Sequence, residues 1–246
     1  MTILSTGSSV IALPNDSVGE IYSVSPNCVN FKFGEMIVGV VDKIEQFAPS
    51  CILVSRGKLP RCTAGSHVKK TELQITGEKF SLALNSENIF NGKISKAKVN
   101  SETLEKVNSL IEQFHKNVPL KKIYQCFREN NFYNLVGLGC GSTPSGDDFL
   151  CGILAACKIH NQSDDLIKSE IKKALKNNST TLLGRALLNE ALLNKFPWLL
   201  TRMSEQLCSN FNPNFWEKTL RNPIHNSPID MCAGLVAKLK QIQEEL

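Results

Sequence analysis

Gly137-Leu138-Gly139-Cys140-Gly141-Ser142-Thr143-Pro144-Ser145-Gly146-Asp147-Asp148 is the stretch on which the reading of this chain turns. Three glycines at alternate positions lead into Thr-Pro-Ser-Gly and two adjacent aspartates. Phe149 to Cys157, directly after, is almost wholly apolar and too short to span a bilayer. The pattern predicts a backbone-exposing loop that feeds straight into a buried helix. Glycines let a backbone approach a ligand closely, and a buried helix behind them holds the loop in place.

Working outward, the periodicity differs on the two sides of a polar stretch, Asn85 to Asn100. Before it, short apolar runs alternate with turn residues: Ile21 to Val24, Phe31 to Phe33, Met36 to Val41, Cys51 to Val54, and Gln74-Ile75 with Phe80 to Leu84 around Thr76-Gly77-Glu78. Strands at this spacing predict a small barrel or sandwich. After it, apolar residues recur at helical spacing: Leu104, Val107, Leu110, Ile111 and Phe114, behind an N-cap at Ser101. Pro119, the glycine loop, Ser163-Asp164-Asp165, Thr180 or Thr181, Pro197, Pro213 and Pro228 each mark a further helix start. The fold class expected is therefore α+β. A β-rich domain over residues 1–95 precedes an all-helical domain of about seven helices over 96–246.

Composition narrows the function classes. A net charge of +5, with lysines scattered through helical stretches, and 7% aromatics do not make a nucleic-acid footprint. The first residues lack the basic and apolar regions of a signal peptide, so a cytoplasmic protein without a membrane partner is expected. The nine cysteines contain no Cys-x-x-Cys pair, which removes zinc-ribbon and redox-motif readings. Cys51, Cys151, Cys157 and Cys232 sit in apolar runs and read as small buried hydrophobes. Cys140, inside the loop, has no histidine nearby in sequence to activate it as a nucleophile.

Two readings apply to the loop. Ser145-Gly146-Asp147-Asp148 fits a capping box, in which Ser145 accepts from the Asp148 amide and Asp148 reaches back. Capping does not explain the glycine run or Asp147. A glycine loop at a helix start suggests an anion site, but two carboxylates there oppose a bare phosphate. A ligand with N–H or O–H donors fits better, as does a bound Mg²⁺ held by Asp147 and Asp148. Mg²⁺ is the one cofactor the residues suggest.

A second, degraded copy follows: Ser227-Pro228-Ile229-Asp230-Met231-Cys232-Ala233-Gly234 repeats the Ser-x-x-Asp-x-x-x-Gly of Ser145 to Gly152. Glycine four residues after aspartate lies on the same helix face. The two helices are thus expected to pack closely and to present both N-termini to one pocket. Between them, Arg185 stands in a mostly apolar helix, either as a snorkelling surface residue or turned inward to hold a carboxylate.

Residues 137–152 resemble the hallmark of a bacterial family whose best-placed member is the third, AllH-like component of oxamate carbamoyltransferase in allantoin breakdown. The resemblance extends to Gly19 to Val24 with Val29 to Phe31, and to Thr180-Thr181-Leu182-Leu183 with Ala186 and Leu187, and so to most of the chain. The family's late segment usually reads Gly-His-Thr-Ser-Gly-x-Asp; here Ile224-His225-Asn226-Ser227-Pro228-Ile229-Asp230 lacks both glycines. The middle helix lacks the usual serine at Leu183 or Gly184, and Cys140-Gly141-Ser142 replaces Pro-Gly-Leu. What it resembles is a divergent member of that family.

The resemblance implies a one-carbon-group transferase component that interconverts oxalurate with oxamate and carbamoyl phosphate, working with larger carbamoyltransferase subunits. On that reading Asp147 and Asp148 are the catalytic candidates. Gly137, Gly139, Gly141, Thr143, Ser145, Gly146, Arg185, His225, Ser227 and Asp230 are the substrate-binding candidates. A non-catalytic assembly subunit and a Mg²⁺-dependent hydrolase are the alternatives.

Overall fold

The computed structural model describes residues 2–114, 119–221 and 226–245. Its close backbone contacts group Met1–Gly92 with Lys195–Leu199 in one unit, and Lys93–Asn194 with Leu200–Leu246 in the other.

The first unit is built on a single nine-stranded sheet. Its strands are β1 (Ile3–Gly7), β2 (Val18–Val24), β3 (Cys28–Phe33), β4 (Met36–Val41), β5 (Cys51–Val54), β6 (His67–Lys70), β7 (Gln74–Gly77), β8 (Phe80–Ala83) and β9 (Ile89–Phe90); a one-turn helix α1 (Ser8–Ile11) follows β1. The spatial order is β8-β7-β6-β2-β3-β4-β5-β1-β9. Pairing is antiparallel except for β4 with β5 and β1 with β9. The sheet curls into a half-barrel instead of closing or splitting into a sandwich. Phe31 on β3 and Phe80 on β8 have three strands between them in the sheet order, yet their rings stack at 5.5 Å. The curl gathers Val10, Ile21, Val29, Phe31, Val38 and Ile52 into one core.

The expected strands are present, and β1, β6 and β9 are additional. β1 escapes an apolar-pattern reading because its buried residues include Ser5 and Thr6. They are satisfied locally: the Ser5 hydroxyl donates to the Asn88 carbonyl at 2.9 Å, and the Asn85 amide donates to Thr6 Oγ1 at 2.9 Å. The polar stretch after Asn85 therefore holds an edge strand as well as a linker.

The second unit is helical. Its elements are α2 (Ser101–Phe114), α3 (Pro119–Arg128), α4 (Ser145–His160), α5 (Asp165–Lys176), α6 (Leu182–Leu192), α7 (Trp198–Leu207, whose first two residues group with the sheet), α8 (Pro213–Leu220) and α9 (Ser227–Glu244). Phe149 to Cys157 on α4 are fully shielded from solvent, as expected for a helix apolar on every side. Tyr124 and Phe127 of α3 meet Phe149 edge-on, at 5.5 and 5.8 Å. No helix among the described residues is long and apolar enough to cross a membrane.

Helix α9 packs along α4 through reciprocal glycines. A Cβ on Gly152 would lie 2.1 Å from the Met231 carbonyl oxygen, and one on Gly234 would lie 2.0 Å from that of Phe149. Each helix thus accepts the other's backbone at its own glycine, as the repeated spacing leads one to expect.

Candidate functional site

The two helix starts meet, but neither is capped as a capping box would be. Helix α4 begins at Ser145 with Pro144 in the N-cap position, and the amides of Asp147 and Asp148 both donate to the Pro144 carbonyl, at 2.9 and 3.2 Å. Ser145 makes no cap hydrogen bond. Proline before the first helical residue fixes the chain one residue earlier than the Ser-x-x-Asp pattern predicts. Ser227 likewise lies one residue inside α9, behind Asn226. Neither serine is therefore occupied by capping. The N-cap expected at Ser101 shifts in the same way, since Asn100 Oδ1 accepts from the Thr103 amide at 3.0 Å, whereas the Ser163-Asp164-Asp165 start holds, with Asp164 in the N-cap position of α5. The Asp164 carboxylate instead faces Lys158 and Lys168, each at 3.1 Å.

The loop before α4 wraps around Asp147. Gly137 has φ +75° and its amide donates to Asp147 Oδ1 at 2.8 Å. A Cβ at Gly137 would fall 1.8 Å from the Ser179 carbonyl oxygen, so both the conformation and the space demand glycine. The Thr180 hydroxyl donates to Asp147 Oδ2. Thr181 caps α6 by accepting from the Gly184 amide at 2.9 Å, and its hydroxyl also donates to the Ser142 carbonyl at 2.5 Å. A Cβ on Gly184 would stand 2.1 Å from Asp147 Oδ2. Burial pushes the Asp147 carboxyl up to about 6, against the bonds from Thr180 and Gly137, which pull it down.

Asp148 is held differently. It is 1% exposed, and neither carboxyl oxygen has a hydrogen-bond partner among the described residues. The hydroxyls of Thr143 and Ser227 lie 3.0 Å from each other and bond to each other, and both stand close enough to the Asp148 carboxyl to pull its proton affinity down. Burial raises its proton affinity well above the usual carboxylate range, and the fields of Asp230 and Asp147 add to the rise. Asp230, buried on α9, occupies the position in the second motif copy that Asp148 has in the first. A buried, unpaired polar group is costly, of the order of several kcal/mol when charged. Such a group in a native fold calls for a specific explanation.

The middle of the loop that leads into α4, Gly139, Cys140, Gly141 and Ser142, is exposed. Gly139 and Gly141 have φ of +115° and +100°. Their amides make no hydrogen bond among the described residues, so two donors remain available beside the entrance to α4. Gly146 is closed in, its amide donating to the Leu138 carbonyl at 2.8 Å.

The structure therefore brings together Gly137, Asp147 and Asp148 with Thr143, Ser227 and Asp230. Arg185 points elsewhere: its Nη2 donates to Asn178 Oδ1 at 2.5 Å. His225 lies outside the described residues. No group of three metal-binding side chains gathers among the described residues, and both oxygens of Asp147 are already bonded. Thr180 and Gly184 are additions to the sequence reading. Their signal was a threonine pair followed three residues on by a glycine, which reads first as a helix start.

The second unit is thus a helical module in which a glycine loop leads into a helix that starts with two buried carboxyls. Residues 135–239 match the family model for oxamate carbamoyltransferase subunit AllH, and this segment is AllH-like. The match covers a little under half of the chain. It includes the glycine loop, the Thr180-Thr181 helix start and the second motif copy. The N-terminal stretches that also suggested the family, Gly19 to Val24 and Val29 to Phe31, lie outside it. No curated protein and no solved structure matches the chain.

Proposed function

We propose that this chain is a component of an oxamate carbamoyltransferase-like system, in which the glycine loop and the Asp147–Asp148 pair bind the group being transferred. The observation that carries the reading is Asp148, a fully buried carboxyl with two unpartnered oxygens at the foot of an exposed loop. A site that meets its ligand with carboxyls favours N–H donors, as a ureido or carboxamide group supplies. The AllH-like segment supports the same chemistry from an independent direction.

The reaction is oxalurate plus phosphate giving oxamate plus carbamoyl phosphate. Its transition state places negative charge on the carbamoyl carbonyl oxygen. The Gly139 and Gly141 amides are suited to stabilise that charge, as preorganised donors do in acyl transfer. Asp147, poised to about 6, is suited to hold or move a proton near neutral pH. Thr180 and Gly137 position it. AllH is a subunit of its enzyme, so we propose larger carbamoyltransferase partners for this chain, and a cytoplasmic setting, with which the lack of a membrane-spanning helix among the described residues is compatible.

The experiment is reconstitution. The chain, alone and with its partner subunits, is assayed for carbamoyl phosphate formation from oxalurate and phosphate. The expected outcome is activity that requires this chain and falls by about a hundredfold or more in Asp147→Asn, the scale on which general acid–base groups contribute. Full activity of the partners without this chain, or an unaffected Asp147→Asn complex, would contradict the proposal.

A further inference from the structure

Asp148 has a property that binding by charge does not explain. Three buried acids, Asp147, Asp148 and Asp230, stand around the two helix starts. Asp147 has both oxygens bonded, whereas Asp148 has neither. The ionisable groups whose fields reach Asp148 are Asp230 on α9 and Asp147 beside it, and Cys151 on α4 lies in the fields of Asp147 and Asp148. No lysine, arginine or histidine among the described residues bonds Asp148, and Arg185 donates to Asn178. Burial and the neighbouring carboxylates push the proton affinities of Cys151 and Tyr124 up, Tyr124 to about 12. They therefore supply no positive charge. The loop contributes the Thr143 hydroxyl, and α9 contributes the Ser227 hydroxyl and the Asp230 carboxyl.

An ionised Asp148 would be an uncompensated charge in this setting. A protonated Asp148 would be a neutral group with one donor and one acceptor on a single plane. That is the hydrogen-bonding complement of a carboxamide or ureido group, which carries a carbonyl oxygen and an N–H on one carbon. We propose that Asp148 acts as a neutral carboxylic acid that docks the carbamoyl group of the ligand face to face, its O–H donating to the carbonyl oxygen and its second oxygen accepting from the N–H. The inference rests on the reading of the loop as a carbamoyl site, and it assigns that site's specificity to one residue.

The consequences are chemical. A donor aimed at the carbonyl oxygen polarises the carbamoyl carbon and leaves the Gly139 and Gly141 amides for the charge that develops later. The ligand takes over the Thr143 and Ser227 hydroxyls, which now satisfy each other at 3.0 Å. The second motif copy thereby gains a purpose: Ser227 supplies a hydroxyl, and Asp230 adds the field that keeps the proton on Asp148. A carboxylate ligand with no amide would be rejected, because it offers acceptors alone to a group with one donor.

The test uses asparagine as a mimic of the neutral acid. Asp148→Asn keeps one donor and one acceptor without a titratable proton, and Asp148→Leu keeps neither. Oxalurate and oxamate are titrated into the full-length protein by calorimetry, with oxalate as the control lacking an amide. The infrared carboxylic-acid band of Asp148 is recorded without ligand at pH 7, as wild type minus Asp148→Asn.

The expected result has three parts: an acid band at pH 7, oxamate affinity within about fivefold of wild type in Asp148→Asn, and affinity lost by at least about a hundredfold in Asp148→Leu. Wild-type affinity should fall as pH rises through the value at which Asp148 ionises, and Asp148→Asn should lack that fall. An ionised Asp148 at pH 7, or an Asp148→Asn protein that binds as poorly as Asp148→Leu, overturns the docking role while leaving the carbamoyl site standing. An acid band with no binding of either amide overturns the carbamoyl site, and the docking role with it.

Discussion

Helices α4 and α9 begin with the same spacing of serine, aspartate and glycine but differ in what precedes them. Before α4 stand three glycines with positive φ, and within its first turn is an extra aspartate, Asp147. Residues 208–226, before α9, contain no glycine. The shared part, glycine four residues after aspartate, is architectural: Gly152 and Gly234 each admit the other helix's backbone. The unshared part is the open loop with its unbonded amides. One copy therefore adds a glycine loop to the shared helix crossing, and the other does not. Duplicated helix packing and single-copy chemistry are thus separable by mutation.

The largest effects should fall on the shared part. Gly152→Ala and Gly234→Ala each place a Cβ about 2 Å from a carbonyl oxygen of the facing helix. Backbone cannot yield as a side chain can, so each should lose about 3 kcal/mol or more of stability, at or beyond the upper end of overpacking costs. Chemical denaturation of the two variants should give similar losses. If only Gly152→Ala is destabilised, the reciprocal crossing is wrong.

The next effect separates the copies by pH. The Asp147 carboxyl lies at about 6 in the folded chain against an ordinary value of 3.8. Its folded value is raised, so the folded state holds the proton more tightly than the unfolded one. Stability from this group is therefore present below about pH 4 and is lost as pH rises through about 6, by about 3 kcal/mol in all. Asp147→Asn should flatten that part of the stability–pH curve and be the more stable protein at pH 7, while losing activity. Thr180→Val, which removes a bond that favours the ionised form, should move the fall to higher pH. A curve unchanged by either substitution would contradict the geometry around Asp147.

Smaller effects sharpen the comparison of the helix starts. Thr181 is a true N-cap, so Thr181→Ala should lower stability by about 1 kcal/mol. Ser145 makes no cap bond, so Ser145→Ala should change stability by less than about 0.5 kcal/mol, as ordinary half-exposed substitutions do. Equal losses from the two would restore the capping box at Ser145.

Much of this was legible in the chain. The apolar run after Asp148 and the repeated Ser-x-x-Asp-x-x-x-Gly pointed to a buried helix with a close partner. The short alternating runs before Asn85 pointed to a sheet. What stayed hidden depended on contacts distant in sequence. β1 carries buried Ser5 and Thr6, whose hydrogen-bond partners lie some eighty residues away. Thr180 reaches Asp147 across 33 positions, and no local spacing announces that bond. The capping box failed because Pro144 moves the N-cap back one residue. That shift frees Ser145 and leaves Asp148 without the amide partner a box would have given it.

The most direct test of the central claim is a crystal structure of the chain soaked with oxamate. The account expects the ligand's carboxamide within hydrogen-bond distance of both Asp148 oxygens, the Thr143–Ser227 bond broken, and the Gly139 or Gly141 amide turned towards the ligand's carbonyl oxygen. Oxamate bound elsewhere, with Asp148 still shut beneath an unbroken Thr143–Ser227 pair, would contradict it.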